Sequence, residues 1–205
     1  MNPIDKEMTI SRYAKRFEKF GHDVRTLGWG GGIERQQLRF DIIMESQNFI
    51  STPIKTVLDV GCGFGDMGAY LNKTHPNINY TGIDINPLLI QEGLTRFPGV
   101  NLICADVNAL ALEKFDLVCA CGIFNFELQN CDHLNYIYEM LDKFNKLSTK
   151  VVVVDFMSTY VDFTAPGGFH MPEEKAIEFS KKISRRFVLR NDYTDFEYAI
   201  YILKQ

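Results

Sequence analysis

Residues 57–68 read VLDVGCGFGDMG, an apolar strand-like run that stops in glycines and resumes as a helix-like segment opening at Phe64. A chain that turns so sharply out of a buried strand is committed to alternating strands and helices. The alternation continues through INYTGID (78–84), PLLIQEGLTRF (87–97), VNLIC (100–104), FDLVCAC (115–121), HLNYIYEMLDKFNKL (133–147) and KVVVVDF (150–156). Near-continuous apolar strands separated by amphipathic helices imply a parallel sheet covered on both faces, a doubly wound α/β fold. RFVLRND and FEYAIYILK, parted by a turn, read as an antiparallel hairpin appended to that sheet.

Local signals agree with this outline. In 133–147 the apolar Leu134, Ile137, Tyr138, Leu141 and Phe144 recur at three and four residues, the spacing of a helix face lying on a sheet. Asn86 followed by Pro87 is a cap and a residue pre-set for the first helical turn. Two further amphipathic segments, at about 11–20 and 33–50, precede the sheet and are joined by GHDVRTLGWGGG. That joint is either a plain loop or a lid, with glycines that permit unusual backbone angles around the large apolar Trp29. At 205 residues the chain suits one compact domain. It divides into a helical lid segment at 1–52 and a ligand-binding unit at 53–205.

A net charge of −4 argues against broad capture of nucleic acid. The basic clusters RYAKRFEKF (12–20) and KKISRR (181–186) read as solvated helix faces. The amino terminus carries charge where a secretory signal would be apolar, and VVVV at 151–154 is too short to span a bilayer. The expected location is cytoplasmic, away from membranes. Five cysteines form no C-x-x-C pair, so buried reduced thiols are expected, with no metal.

The glycines admit two registers. Gly63-x-Gly65-x-x-Gly68 is the spacing of dinucleotide-binding turns, but it would push Gly61 and Cys62 into a strand that is complete at Val60. The other register sets Asp59 ahead of Gly61-x-Gly63-x-Gly65, with Asp66 after them, and is joined by Asp84 in GIDINP and Asp106 in CADV, each closing a later strand. This constellation resembles the class I S-adenosylmethionine-dependent methyltransferases over residues 54–205. The resemblance implies a Rossmann-like, seven-stranded, mostly parallel sheet with an antiparallel last strand, in three α/β/α layers.

An acid about 20 residues beyond the glycines can accept hydrogen bonds from ribose hydroxyls, the role given to Asp84, with Ile85 against adenine. The resemblance places Asp106 and the Val107 amide at the adenine edge, and Cys121 and Gly122 beneath the methionine portion. Asp59, Gly61, Cys62, Gly63, Gly65 and Asp66 form the turn under the cofactor. Each acid has a plainer reading: Asp59 as a loop tie, Asp84 as a turn or cap residue, Asp106 as a turn former.

For the acceptor side, the loop after the fifth strand carries Tyr160, Asp162 and His170, with His170 the best base among four histidines. His133 ranks lower, and His22 and His75 read as surface residues. Asn125, in GIFNFELQN, is a polar contact to the acceptor or a loop-stabilising group. That segment lacks the Asn/Asp-Pro-Pro-aromatic run of amino-methylating nucleic-acid and protein enzymes. In the amino-terminal segment Tyr13, Trp29, Gln37 and Arg39 are the lid candidates. Arg39 either pairs with the cofactor's carboxylate or serves a structural ion pair.

The whole chain is also similar to small stand-alone bacterial methyltransferases with Leu27-Gly-Trp-Gly30, Gln37-Leu-Arg-Phe40 and Gly122-Ile-Phe-Asn125, although Asn191 stands where those carry histidine. The expected activity is methyl transfer from S-adenosylmethionine to a small-molecule acceptor by a monomer or homodimer. RNA or protein methylation, a non-catalytic cofactor-binding regulator and a nicotinamide-dependent oxidoreductase are the alternatives.

Overall fold

The computed structural model describes residues 1–164 and 166–204. Among these, β1 (Thr56–Val60), β2 (Asn79–Asp84), β3 (Asn101–Cys104), β4 (Phe115–Ala120), β5 (Ser148–Met157), β6 (Phe187–Arg190) and β7 (Glu197–Leu203) form one sheet. Its order is β3-β2-β1-β4-β5-β7-β6. β1 to β5 run parallel, with Leu58 paired to Thr81 on one side and Val118 on the other. β7 inserts antiparallel between β5 and β6. The doubly wound, mostly parallel sheet expected from the alternation is the observed one, and its closing hairpin supplies the antiparallel strand.

Among the described residues six α-helices flank or cap the sheet: α1 (Pro3–Phe20), α2 (Gly32–Glu45), α3 (Asp66–Thr74), α4 (Pro87–Arg96), α5 (His133–Leu147) and α6 (Glu173–Ile183). One core lies between the sheet and α5 and α6, around Ile137, Leu141, Phe144 and Phe179. The other lies on the opposite face under α2, α3 and α4, around Phe40, Ile43, Leu71 and Ile90. Central strands therefore have no polar face: Val151 to Val154 of β5 are all buried. The cap the sequence marks is formed, with Asn86 accepting the Leu88 N–H at 3.0 Å ahead of Pro87. No helix among the described residues is long and apolar enough to cross a membrane.

Three expectations shift. The helix expected to open at Phe64 begins at Asp66, because Gly65 adopts a left-handed conformation and ends the turn there. The first segment is longer than its apolar periodicity suggests: Asn2 accepts the Ile4 N–H at 2.9 Å and Pro3 starts the helix. The expected lid segment at 1–52 also divides in two. α2 belongs to a core layer, where the Tyr201 hydroxyl donates to its Ile42 carbonyl at 2.5 Å, and only α1 with the 21–31 turn crosses the carboxyl ends of the strands.

Candidate active site

Strand order reverses at β1, which has β2 on one side and β4 on the other, so the loops leaving β1 and β4 diverge and open a crevice. The glycine turn after β1 is fastened to the end of β2. Gly61 and Cys62 donate to the Ile83 carbonyl at 2.7 and 3.1 Å, and Gly63 donates to Oδ2 of Asp84 at 2.9 Å. Gly61 has φ 79°, a left-handed conformation, and a Cβ there would collide with Ile123.

One cavity occupies the crevice. Its floor is Asp59, Gly61, Cys62, Gly63 and Asp66 from the turn and its flanks, with Asp84 and Ile85 after β2. Asp106 and Val107 after β3, and Cys121 and Gly122 after β4, complete the strand-end side. Trp29 packs down on Gly122, where a Cβ would collide with the indole, and the left-handed φ of 75° there suits glycine as well. The sequence candidates from four separate loops thus meet around one space.

Helix α1 roofs that space. At one end Asp5 accepts from the Gln129 and Asn130 N–H groups at 3.0 and 3.1 Å and from the Asn130 side chain at 2.9 Å. In the middle the Asn86 side chain donates to the Ile10 carbonyl at 3.4 Å. At the far end the Phe17 and Phe64 rings lie 5.8 Å apart. Tyr13 faces the cavity, and burial with the nearby Asp84 charge pushes its phenol up to about 12.

Burial dominates the electrostatics. Asp59, 4% exposed, is pushed up to about 7 by desolvation, partly countered by the Tyr80 hydroxyl donating at 2.7 Å. Asp84 is pushed up to about 6 by the same cause, against the N–H groups of Asn86 and Gly63. Asp155 on β5 is raised by burial and receives the Cys121 thiol at 3.0 Å and the Gly122 N–H at 2.6 Å.

Other candidates lie elsewhere. Gly65 fits closely against Leu102, 2.6 Å from where a Cβ would stand, and does not line the cavity. Arg39 does not reach it either: Nη2 and Nε hold Oε2 of Glu197 at 2.7 and 3.1 Å, and the guanidinium stacks 4.4 Å from Trp29. Of its two readings, the structural ion pair is the one formed. Among the acceptor-side candidates, the Tyr160 ring is 72% exposed and its hydroxyl donates to Glu174 at 3.2 Å. Asp162 is exposed and outside the cavity lining, and the Asn125 carbonyl accepts the Phe169 N–H at 2.9 Å. His170 has Nδ1 2.6 Å from the Ser158 carbonyl, and no histidine lines the cavity among the described residues.

Several lining residues escape sequence reasoning. Arg12, grouped there with a solvated basic cluster, lines the cavity with Phe126, Leu128, Tyr136 and Met140. Gln36 takes the place expected for Gln37, one position and a third of a helical turn away. His22 is not a surface residue: its ring lies 4.5 Å from that of Phe64, with Nε2 3.4 Å from Asp66. Two cysteines also depart from the expected burial, since Cys104 and Cys131 are exposed.

Residues 57–145 match the family model described as "Methyltransferase domain". The chain is 27% identical over 157 residues to the putative methyltransferase Rv1506c of Mycobacterium tuberculosis, covering 73% of this chain and 93% of that protein. It is 30% identical over 96 residues to malonyl-[acyl-carrier protein] O-methyltransferase 1 of Ilyobacter polytropus, covering 45% of this chain and 36% of that one. Its fold superposes on magnesium protoporphyrin IX methyltransferase from Synechocystis with bound S-adenosylhomocysteine, TM-score 0.68, at 12% identity over 98% of this chain and all of that one.

Proposed function

We propose that this chain, a class I S-adenosylmethionine-dependent methyltransferase, transfers the methyl group to a small molecule held in the cavity beneath α1. The observation carrying this reading is that the glycine turn, Asp84 and Asp106 open into one space roofed by a helix rather than into an open groove. The negative net charge, and a cavity lined by one arginine and no lysine among the described residues, support a small acceptor over nucleic acid.

The donor set fits the cofactor. Glycines that cannot carry a Cβ bring bare backbone to the floor, and carboxylates at successive strand ends suit hydroxyl and amino donors on a positively charged ligand. Asp84 would take the ribose hydroxyls on its remaining lone pairs, since each oxygen already accepts one N–H. Ile85 and Val107 offer apolar walls for the purine, with Asp106 at its amino edge. When bound, the cofactor supplies a methyl group already activated on a sulfonium.

What remains for the protein is alignment and exclusion of water, and positioning of that kind supplies about 7–11 kcal/mol of a barrier. α1, Trp29 and Tyr13 close the cavity from above, which is the lid role. Among the described residues no imidazole lines the cavity, so the reading rests on alignment and assigns no histidine base. The test is parallel titration calorimetry with S-adenosylmethionine, S-adenosylhomocysteine and NAD, followed by detection of S-adenosylhomocysteine release over a small-molecule panel, purified RNA and protein. Turnover confined to RNA or protein would overturn the small-molecule reading.

A further inference from the structure

Arg12 is the one basic side chain among the described residues lining the cavity, and its position is unlike that of the other arginines nearby. Arg16 donates to the Arg25 carbonyl at 2.6 Å, Arg25 holds Asp23 at 2.8 Å and Arg39 holds Glu197. Arg12 makes no ion pair and no hydrogen bond among the described residues. Its guanidinium lies 4.1 Å from the Phe126 ring centroid, so the aromatic face supports the cation and leaves its fork of N–H donors available.

Its placement is fixed by the fold. Arg12 lies two helical turns beyond Asp5, on the same side of α1, and Asp5 is tied to Gln129 and Asn130 in the loop that carries Phe126. The guanidinium lies over Phe126 in the stretch beyond β4, whereas the glycine turn is covered at Gly63 by Leu27. Around it the lining is apolar, from Phe126, Leu128, Tyr136 and Met140. Asp84 and Asp106 also line the cavity, and an anionic ligand would meet like charge at them, so Arg12 is the side chain that can take its carboxylate.

We infer that Arg12 is an acceptor-recognition residue and that the acceptor is a small molecule with an apolar body and a carboxylate, held by the guanidinium fork. Resting on the small-molecule reading above, the inference adds the acceptor's charge and the residue that reads it. A planar guanidinium with an unused fork matches a carboxylate bidentately, and the neighbouring aromatic and aliphatic walls take the rest of the molecule.

The experiment measures binding of matched acid and amide probes to the S-adenosylhomocysteine-saturated protein: phenylacetate and phenylacetamide, cinnamate and cinnamamide, octanoate and octanamide. Wild type is compared with Arg12→Gln and Arg12→Lys, both good helix formers. The expected result is that wild type prefers the acids by about tenfold or more, Arg12→Gln abolishes the preference and Arg12→Lys keeps part of it. S-adenosylhomocysteine affinity should stay within about twofold across the three, which also reports an intact fold. The inference is overturned if no acid is preferred to its amide, or if the preference survives Arg12→Gln. It is equally overturned if Arg12→Gln weakens S-adenosylhomocysteine instead, since the residue would then serve the cofactor's own carboxylate. Methylation of RNA or protein in place of small molecules fails the underlying reading separately from these comparisons.

Discussion

The backbone N–H of Gly63 donates to Oδ2 of Asp84 at 2.9 Å, while Oδ1 of the same carboxylate accepts the Asn86 N–H at 2.8 Å. One side chain thus ties the glycine turn after β1 to the cap of α4 and still faces the cavity. Asp84→Ala is expected to weaken S-adenosylmethionine by about tenfold or more, through lost ligand contacts and a loosened turn. Asp84→Asn should cost nearly as much, because its amide NH₂ must face one of the two N–H donors. Calorimetric titration checks both, and unchanged affinity in either would remove Asp84 from the cofactor site.

Burial pushes Asp84 up to about 6 and Asp59 up to about 7, both above the usual carboxylate value, so the folded protein binds protons that the unfolded chain has released. The stability linked to these groups is fully present below about pH 4 and is lost as pH rises through about 6 and then about 7. Asp59→Asn removes the upper part of that loss while keeping an oxygen for the Tyr80 hydroxyl. Denaturant unfolding over a pH series should show the variant gaining on wild type by about 2–4 kcal/mol between about pH 4 and 8. Cofactor affinity runs the other way, strengthening from about pH 5 to 8 as Asp84 ionises, with proton release visible in buffers of different ionisation enthalpy.

Arg39 and Glu197 are each 4% exposed and are separated by 158 positions. Removing one member of such a pair leaves an uncompensated buried charge, so Arg39→Ala is expected to destabilise by about 3–5 kcal/mol. Arg39→Met removes the charge but keeps packing against Trp29, leaving Glu197, already raised by burial and the nearby Asp155 charge, to take up a proton. It should therefore be the milder variant, and S-adenosylhomocysteine should bind it as tightly as wild type. Thermal unfolding and titration together separate the outcomes: a stable Arg39→Met protein that fails to bind would restore a role at the cofactor.

The same pair shows where sequence reading stops. The sheet is legible because β1, β4 and β5 are apolar on both faces, and the cavity floor because glycines and acids recur at strand ends. Both signals are local. The partner of Arg39 lies in the closing hairpin and the clasp of α1 joins positions 125 apart, so nothing within a helical window marks either. Arg12 is hidden by its company, since a basic cluster on an amphipathic helix looks solvated until the loop it covers is known. Gln36 and Gln37 differ only in helical phase, which the entry angle of α2 decides.

The Asp5 clasp is expected to set how readily α1 lifts from the cavity. Asp5 is 2% exposed, and its hydrogen bonds to Gln129 and Asn130 hold its carboxyl below the usual range even though burial opposes them. Asp5→Ala leaves those N–H groups unpaired at the loop and frees the amino-terminal end of α1, while Ile10 and Phe17 still hold its middle and far end. Cofactor dissociation should accelerate by about tenfold, corresponding to one or two charge-assisted hydrogen bonds lost from the closed form, with association changed much less. Trp29, the only tryptophan of the chain, lines the cavity, so stopped-flow fluorescence reports the event directly. Asn130→Ala should reproduce part of the effect by removing the side-chain donor alone. An unchanged dissociation rate in both would mean that the cofactor leaves by another route and that α1 is a fixed wall.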